Sequence, residues 1–486
     1  MTIKVDLLLV NPGNRLEQFA KLNELATVAQ PLGIAIIASI AREKGVSVEI
    51  FDAEAEFLTP DEAVKVIVDR YDPVVIGLTA FTTKMTAAGM ILKGIKQLMP
   101  NVVKVIGGHH PSAIPEKTLL DEDVDFVVAG EGFDPIIQLV DKVKSKSDDY
   151  KIEGLWYKKS GKIVGHGLAA GPKDLDKLPY ASWDLLPMDK YRAHHWQAWD
   201  YNLDQSRYAL IYTSLGCPFR CEFCSVNVVY GKRGTRFRSA KHVVGEIKLL
   251  VENYGIRHIE IVDDLFTVNK KRVYEFCNEM IAHNLGDKVN MWCFGRTDTV
   301  EKDLVRKMKQ AGINWIFLGI ESGDDDVLQT VAKKQTLEKI RTANEILRET
   351  GIYIGGNYVF GLGDDTLQTM QKTSQLAMDL NTDYANFFLA MAYPGTSLYS
   401  EALINGYELP EKWGQYGFFA PDALPLRNRY VSSTDILDFR DSAFEKYFSS
   451  KQYQNMVSDK FGNHIVDFIN NSILNKKIHR NHRSEL

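Results

Sequence analysis

The sequence predicts an α/β protein: two successive series of alternating strands and helices, then a helical C-terminal region. Three observations predict it. Short runs rich in Val, Ile and Leu alternate with longer segments whose apolar residues recur every three or four positions, the pattern of parallel strands joined by crossover helices. Several of the longer segments end at Gly, as helices often do. Beyond residue 400 the strand-like runs stop and a helical, aromatic-rich pattern ("DFRDSAFEKYFSSKQYQNMV") takes over.

In the first series the strands are "VDLLLVNP", "SVEIFDAE", "PVVIGLTA", "VVKVIGG" and "VDFVVAGEG". The helices are "PLGIAIIASIAREKG", "PDEAVKVIVDRY", "AAGMILKGIKQLMP", "SAIPEKTLLDE" and "DPIIQLVDKVK". Five strands alternating with five helices imply a doubly wound parallel sheet of flavodoxin type. Its strand-end loops carry Asn11, Pro12, Thr79, Thr82, Gly107, Gly108, His109, His110, Gly130, Glu131 and Gly132. Glycine there lets backbone approach a ligand closely. The first loop, "NPGNRLEQFAKLNE", lacks G-x-G-x-x-G, which disfavours a dinucleotide. The loop after the third strand has no Asp to phosphorylate, which disfavours a response regulator. A flat cofactor laid across the carboxyl edge remains.

The second series begins with "YALIYTSLG", which runs straight into "SLGCPFRCEFCS". Three thiols at C-x3-C-x2-C spacing, Cys217, Cys221 and Cys224, are one short of a structural zinc site. Cys277 lies in a helical pattern and Cys293 in a strand pattern. Either could supply a fourth ligand, and core packing accounts for both. A set of buried structural thiols is the plain alternative. A cubane iron–sulfur cluster instead uses three thiolates and leaves one iron open, and an open position is what a catalytic centre keeps. The following strands end in polar residues: Asp263 and Asp264, Arg296 and Asp298, Glu321 and Ser322, then a Gly/Asp loop and Tyr393-Pro394-Gly395. Six such units make a parallel array, open or partly closed, with its chemistry at the carboxyl ends of the strands.

The motif, with Phe223 before its last cysteine, resembles the signature of the radical S-adenosylmethionine superfamily. The resemblance implies a partial (β/α)6 barrel whose Cys217, Cys221 and Cys224 hold a [4Fe–4S] cluster. S-adenosylmethionine would chelate the open iron and be cleaved reductively to a 5′-deoxyadenosyl radical. "GIESG" is similar to the family's S-adenosylmethionine-contacting motif, which implies Glu321 and Ser322 as contacts beside Phe223, although a solvated loop carboxylate is the plain reading of Glu321. The family's Gly-Gly-Glu is replaced by Val262-Asp263-Asp264, leaving Asp263 or Asp264 for the amino group. Arg296 is either a partner of the methionine carboxylate or half of a structural ion pair.

Upstream, "GGHHPSAIPE" followed by "DFVVAGEGFDPIIQL" resembles the cobalamin-binding domain of cobalamin-dependent radical S-adenosylmethionine enzymes, and "LDKLPYASWDLLPMDKY" resembles their linker. The resemblance covers about residues 1–400. It implies cobalamin on the loops named above, from Asn11 to Gly132. The D-x-H-x-x-G motif of methionine synthase-type domains is absent. His109 and His110 therefore read as a hydrogen-bonding loop pair, and cobalt is expected without a histidine below it.

The expected organisation is a cobalamin-binding domain over 1–145, a linker over 146–205, the catalytic barrel over 206–400 and a helical cap over 401–486. Within the linker "IEGLWYKKSGKIVGHG" predicts a hairpin turning at Ser160-Gly161. "YRAHHWQAWDYNLDQ" either lines the substrate mouth or packs between domains. The basic tail "KKIHRNHRSEL" is expected to be disordered. A net charge of −5 carries no nucleic-acid signature. The N-terminus lacks the features of a signal peptide, and no run approaches the ~20 apolar residues of a membrane helix, so a cytoplasmic location is expected.

The resemblance implies an enzyme that methylates an unactivated carbon, or a phosphinate phosphorus, of a small molecule, with a flavodoxin or ferredoxin as electron donor. Oxidative ring closure or rearrangement, of the anaerobic magnesium-protoporphyrin monomethyl ester cyclase type, is the alternative. A non-catalytic iron–sulfur protein is a third.

Overall fold

The computed structural model describes residues 2–19, 22–476 and 480–481. Its first sheet contains β1 (Ile3–Asn11), β2 (Val48–Asp52), β3 (Tyr71–Thr79), β4 (Val103–Gly107) and β5 (Phe126–Val128), parallel and in the order 2-1-3-4-5. This is the flavodoxin-like order, with its switch point between β1 and β3. β1 shows why the sheet is buried on both faces. Leu7 and Leu9 point to one hydrophobic core and Leu8 and Val10 to the other, and none is more than 2% exposed. Helix Pro60–Arg70 starts in a capping box, Thr59 with Glu62. The single helix expected over "SAIPEKTLLDE" is two short ones, His109–Ala113 and Pro115–Asp121, because Pro115 supplies no N–H to continue the first.

The hairpin expected between the domains forms from β6 (Leu155–Lys159) and β7 (Lys162–Gly165), with positive φ at Ser160 and Gly161. It does not stand apart. β6 pairs antiparallel with β5 and extends the first sheet to seven strands.

The second sheet begins with β8 (Tyr208–Ile211). A two-residue ribbon, β9 (Ser214–Leu215) with β10 (Arg236–Phe237), brackets the cysteine loop. Then follow β11 (His258–Ile261), β12 (Asn290–Gly295), β13 (Ile313–Glu321), β14 (Tyr353–Phe360) and β15 (Tyr384–Leu389). These six strands are parallel and lie in chain order, and β8 and β15 do not meet. The result is the partial (β/α)6 barrel.

The aromatic connector plugs the base of this barrel. Gln197 Nε2 donates to the Asn290 carbonyl at 2.9 Å, and Asn290 Nδ2 returns a bond to the Gln197 carbonyl at 2.7 Å, at the amino end of β12. Trp196 packs on Phe317, Trp315 and Trp292 with ring centres 4.4–5.1 Å away. The connector is therefore core, at the end opposite the strand-end loops, and does not line the mouth.

The C-terminal helices Ser433–Ser449 and Lys451–Phe461 cover the β14–β15 side. Tyr447 donates to the Thr382 carbonyl at 2.6 Å and Tyr453 to the Asp383 carbonyl at 3.0 Å. Most of the tail lies outside the described residues. Arg480, however, is buried and forked onto Asp441 at 2.9 and 3.0 Å, which corrects the expectation of a disordered tail at that position.

Candidate active site

The carboxyl edges of the two sheets enclose a cavity of about 670 Å³. The first domain contributes Asn11, Thr79, Gly107, Gly108, His109, Gly130, Glu131 and Gly132. The barrel side contributes Tyr212, Leu215, Tyr230 and Asp264. Eight residues expected on the strand-end loops thus share one wall. Pro12 and Thr82 do not line it. Thr82 Oγ1 instead contacts His110 Nδ1 at 3.2 Å, and the His110 ring meets the edge of Trp413 at 4.4 Å. His110 is packing, while His109 faces the cavity and stacks on Phe81 at 5.1 Å. Burial lowers both histidines to about 4, so both are neutral near pH 7. Gly108 has φ +107, and a Cβ there would stand 2.8 Å from the Ala80 carbonyl oxygen, so only glycine makes this turn.

The cysteine loop leaves β9 at Gly216, whose φ is +90 and where a Cβ would collide with the Gly234 carbonyl oxygen. The loop is tied down by Gly234 N–H donating to the Cys217 carbonyl and Cys224 N–H to the Cys221 carbonyl, both at 3.2 Å. All three thiols are free. Cys224 is exposed as a residue, and the protein packed around it pushes the thiol up to about 12. Iron binding would reverse that preference, because a coordinated thiol gives up its proton. Among the described residues no three His, Cys, Asp or Glu side chains gather closely enough for a single ion. A cubane needs something different, soft thiolates set around a larger body, each meeting its own iron. The donor set of this loop fits that group.

The two aspartates at the end of β11 divide. Asp263 is 1% exposed and fully engaged. It accepts from Thr213 N–H at 2.6 Å, from Ser214 N–H at 2.9 Å, from both hydroxyls, and from Arg272 at 3.3 Å. It anchors the approach to the cysteine loop and has no capacity left for an amino group. Asp264 accepts from Gly216 N–H at 3.0 Å and faces the cavity, with its carboxyl raised to about 6 by burial. Of the pair, Asp264 is the one open to a cofactor.

At the ends of β12 and β13, Arg296 forks onto Asp298 at 3.0 Å twice, donates to the Lys333 carbonyl at 2.9 Å, and lies 3.8 Å over the ring of Phe219 in the cysteine loop. The ion-pair reading of Arg296 is the one these contacts realise. Glu321 stands at φ +66, beside a register shift between β13 and β14, and accepts from Lys333 Nζ at 2.6 Å. A non-glycine residue held there is a strained one, and such strain concentrates at functional sites. Ser322 is fully buried and receives Asp324 N–H at 3.2 Å, which makes it part of the turn. Phe223 packs on two small apolar clusters that include Val331, Leu362, Ala392 and Leu398. Beside these groups, the buried Thr297 Oγ1 and both polar atoms of the Gln335 side chain have no partner among the described residues, an unused capacity that suits a polar cofactor.

Several residues of the two sites carry no signal in the sequence. Lys333, in "VAKKQT", carried no signal beyond its charge. Gln30, in "TVAQPLG", is 3% exposed and stitches the edge of β8, donating to the Tyr208 carbonyl at 2.7 Å and accepting from Leu210 N–H at 3.1 Å. Tyr212 and Tyr230 form the barrel side of the cavity. Only the fold brings these together.

Comparison with known proteins agrees with this layout. The model of the B12 binding domain matches residues 21–140, and that of the Radical SAM superfamily matches residues 211–377. An uncharacterized methyltransferase of Pyrococcus horikoshii is 32% identical over 445 residues, 90% of this chain and 92% of that protein. The chain belongs to the cobalamin-dependent radical S-adenosylmethionine enzymes. Also similar is the anaerobic magnesium-protoporphyrin IX monomethyl ester cyclase of Cereibacter sphaeroides, 26% identical over 437 residues, 88% of this chain and 68% of that one. Among solved structures, the radical S-adenosylmethionine methyltransferase TsrM of Kitasatospora setae, with cobalamin and a [4Fe-4S] cluster bound, has a TM-score of 0.67 at 17% identity, covering 83% of this chain and 78% of that one. The cofactors of a cobalamin-dependent radical S-adenosylmethionine enzyme are a [4Fe–4S] cluster, S-adenosylmethionine and cobalamin. The cavity suits the last: its wall is mostly apolar side chains and glycines, and at Gly33 a Cβ would meet nothing within 4 Å. No helix among the described residues is long and apolar enough to cross a membrane.

Proposed function

We propose that this enzyme methylates an unactivated carbon, or a phosphinate phosphorus, of a small-molecule substrate, drawing its electron from a flavodoxin or ferredoxin. The observation that carries the reading is the shared cavity. Its walls come from both sheets, and Leu215 and Asp264 on its barrel side stand next to the loop of Cys217. When bound, the cluster and S-adenosylmethionine supply a hydrogen-abstracting radical and cobalamin supplies the methyl group.

The chain's own part is to hold, orient and exclude water. Cys217, Cys221 and Cys224 hold the cluster. Phe223, Asp264 and the Lys333–Glu321 pair stand ready to receive S-adenosylmethionine, with Arg296 bracing Phe219 beneath the loop. Asp263 acts behind them by fixing Thr213 and Ser214. Asn11, Thr79, the glycines 107, 108, 130 and 132, His109 and Glu131 form the seat for cobalamin. Asn11 is pre-oriented there, because its Nδ2 donates to Asp52 at 2.8 Å and its Oδ1 accepts from Lys84 at 3.0 Å.

Two measurements test this. Anaerobically reconstituted protein should show iron–sulfur absorption that Cys217→Ala, Cys221→Ala and Cys224→Ala each abolish. An unchanged spectrum in any of them would remove that thiol from the site. Reduced enzyme given methyl-labelled S-adenosylmethionine and a metabolite extract should form 5′-deoxyadenosine and S-adenosylhomocysteine in step, with label in one metabolite. The similarity to a ring-forming cyclase over 88% of the chain supports a second reading. 5′-Deoxyadenosine without S-adenosylhomocysteine would favour it.

A further inference from the structure

Glu131 follows the turn at Gly130, beyond the carboxyl end of β5, and lines the cavity. Both oxygens of its buried carboxylate are engaged. Oε1 accepts from Arg236 Nη2 at 2.7 Å and Oε2 from Gly171 N–H at 2.8 Å. Gly171 suits this closeness, since a Cβ there would lie 2.5 Å from Oε1. Arg236 comes from the other sheet's territory. It sits in β10, paired with Leu215 of β9, two residues before Cys217. Its Nη1 donates to the Pro172 carbonyl at 2.8 Å, and its guanidinium lies 5.7 Å from the ring centre of Tyr230, another cavity residue. The same ribbon is bound to the cysteine loop by Gly234 N–H on the Cys217 carbonyl at 3.2 Å and Thr235 Oγ1 on the Gly216 carbonyl at 3.1 Å.

A continuous run of contacts therefore leads from the cobalamin wall to the first cluster cysteine, and the Glu131–Arg236 bond is its crossing point. A charge-assisted bond from a rigid guanidinium holds distance and direction better than a packing contact does. Ordering residues 217–236 around a cluster would order Tyr230 and Arg236 at the far end. A cavity whose wall is already ordered loses less entropy on binding. Such coupling is reciprocal.

We propose that Glu131 and Arg236 are a positioning pair that couples the two cofactor sites, so that loading the cysteine loop tightens the cobalamin cavity and the reverse. This rests on the reading of both sites given under the proposed function. The full-length protein, once with its cluster reconstituted anaerobically and once cluster-free, is titrated with hydroxocobalamin and followed by visible absorbance. Wild type should bind on the order of tenfold more tightly when cluster-loaded, within the usual range of coupling between sites. Arg236→Ala should bring this ratio near one, while iron per chain and cluster-free affinity stay within about twofold of wild type. Glu131→Gln should lose the same ratio whatever its absolute affinity, and Arg236→Lys should recover part of it. A structural role alone would weaken both titrations together. That result, a wild-type ratio of one, or an unchanged ratio in both variants overturns the proposal. A wild type that takes up no cobalamin in either state overturns the cofactor reading itself, and the pair's coupling with it.

Discussion

Gly216 carries the cysteine loop away from β9 in a backbone conformation closed to other residues. Gly216→Ala should leave the circular dichroism intact while iron uptake falls, because the strain, on the order of 1–3 kcal/mol, is borne where Cys217 must be placed. Full iron content in that variant would show that the loop adapts. Asp365 is fully buried, and it accepts from Gly361 N–H at 3.0 Å and Thr369 Oγ1 at 2.6 Å. Burial raises its carboxyl from 3.8 to about 6. A raised acid helps the folded state below its unfolded pKa, and that help is lost as pH climbs through about 6. Asp365→Asn should therefore compare better with wild type at pH 7.5 than at pH 5, by roughly 1 kcal/mol in urea titrations. A gap that does not change with pH would mean that Asp365 stays charged. The cysteine motif was legible in the sequence because its chemistry is local, three thiols within eight residues. The choice between Asp263 and Asp264 was not legible, since it depends on Thr213, Ser214 and Arg272, which the chain alone does not place beside them.

At the scale of elements, β8 opens the barrel and is an edge strand, with exposed backbone groups that need partners. Gln30, from the other domain, satisfies its Tyr208 carbonyl and Leu210 N–H. Gln30→Ala leaves both buried groups unpaired and should cost about 3 kcal/mol of stability, read from denaturant unfolding. A loss below about 0.5 kcal/mol would show that water takes over the edge. The strands themselves were legible from their apolar runs, and the hairpin from Ser160-Gly161. The pairing of that hairpin with β5 was not, because edge pairing is settled by what lies alongside in space. The aromatic connector left two readings open for the same reason. Its composition suits a ligand mouth and a core equally, and its place under β12 to β15 decides for core.

For the whole molecule, the cavity belongs to neither sheet alone. Gln30, the connector and the Glu131–Arg236 pair all cross between them, so the two sheets should unfold together. Hydroxocobalamin at 100 times its Kd should raise the unfolding free energy by about 2.7 kcal/mol, seen as an upward shift of one calorimetric transition. Two transitions, with only one moved by cobalamin, would mean that the sheets are energetically separate.

The class of chemistry and the order of the parts are set by the amino-acid order alone. Both are written in short-range patterns: cysteine spacing, apolar periodicity, and glycines and polar residues at strand ends. Which polar groups are free and which are spent follows from the folded arrangement. It turned Asp263 inward and Asp264 outward, set Arg296 on Asp298, sent His110 to Trp413, and placed the aromatic connector at the barrel's base. Those outcomes rest on the competition of each buried polar group for a partner, and the partners are distant in the chain.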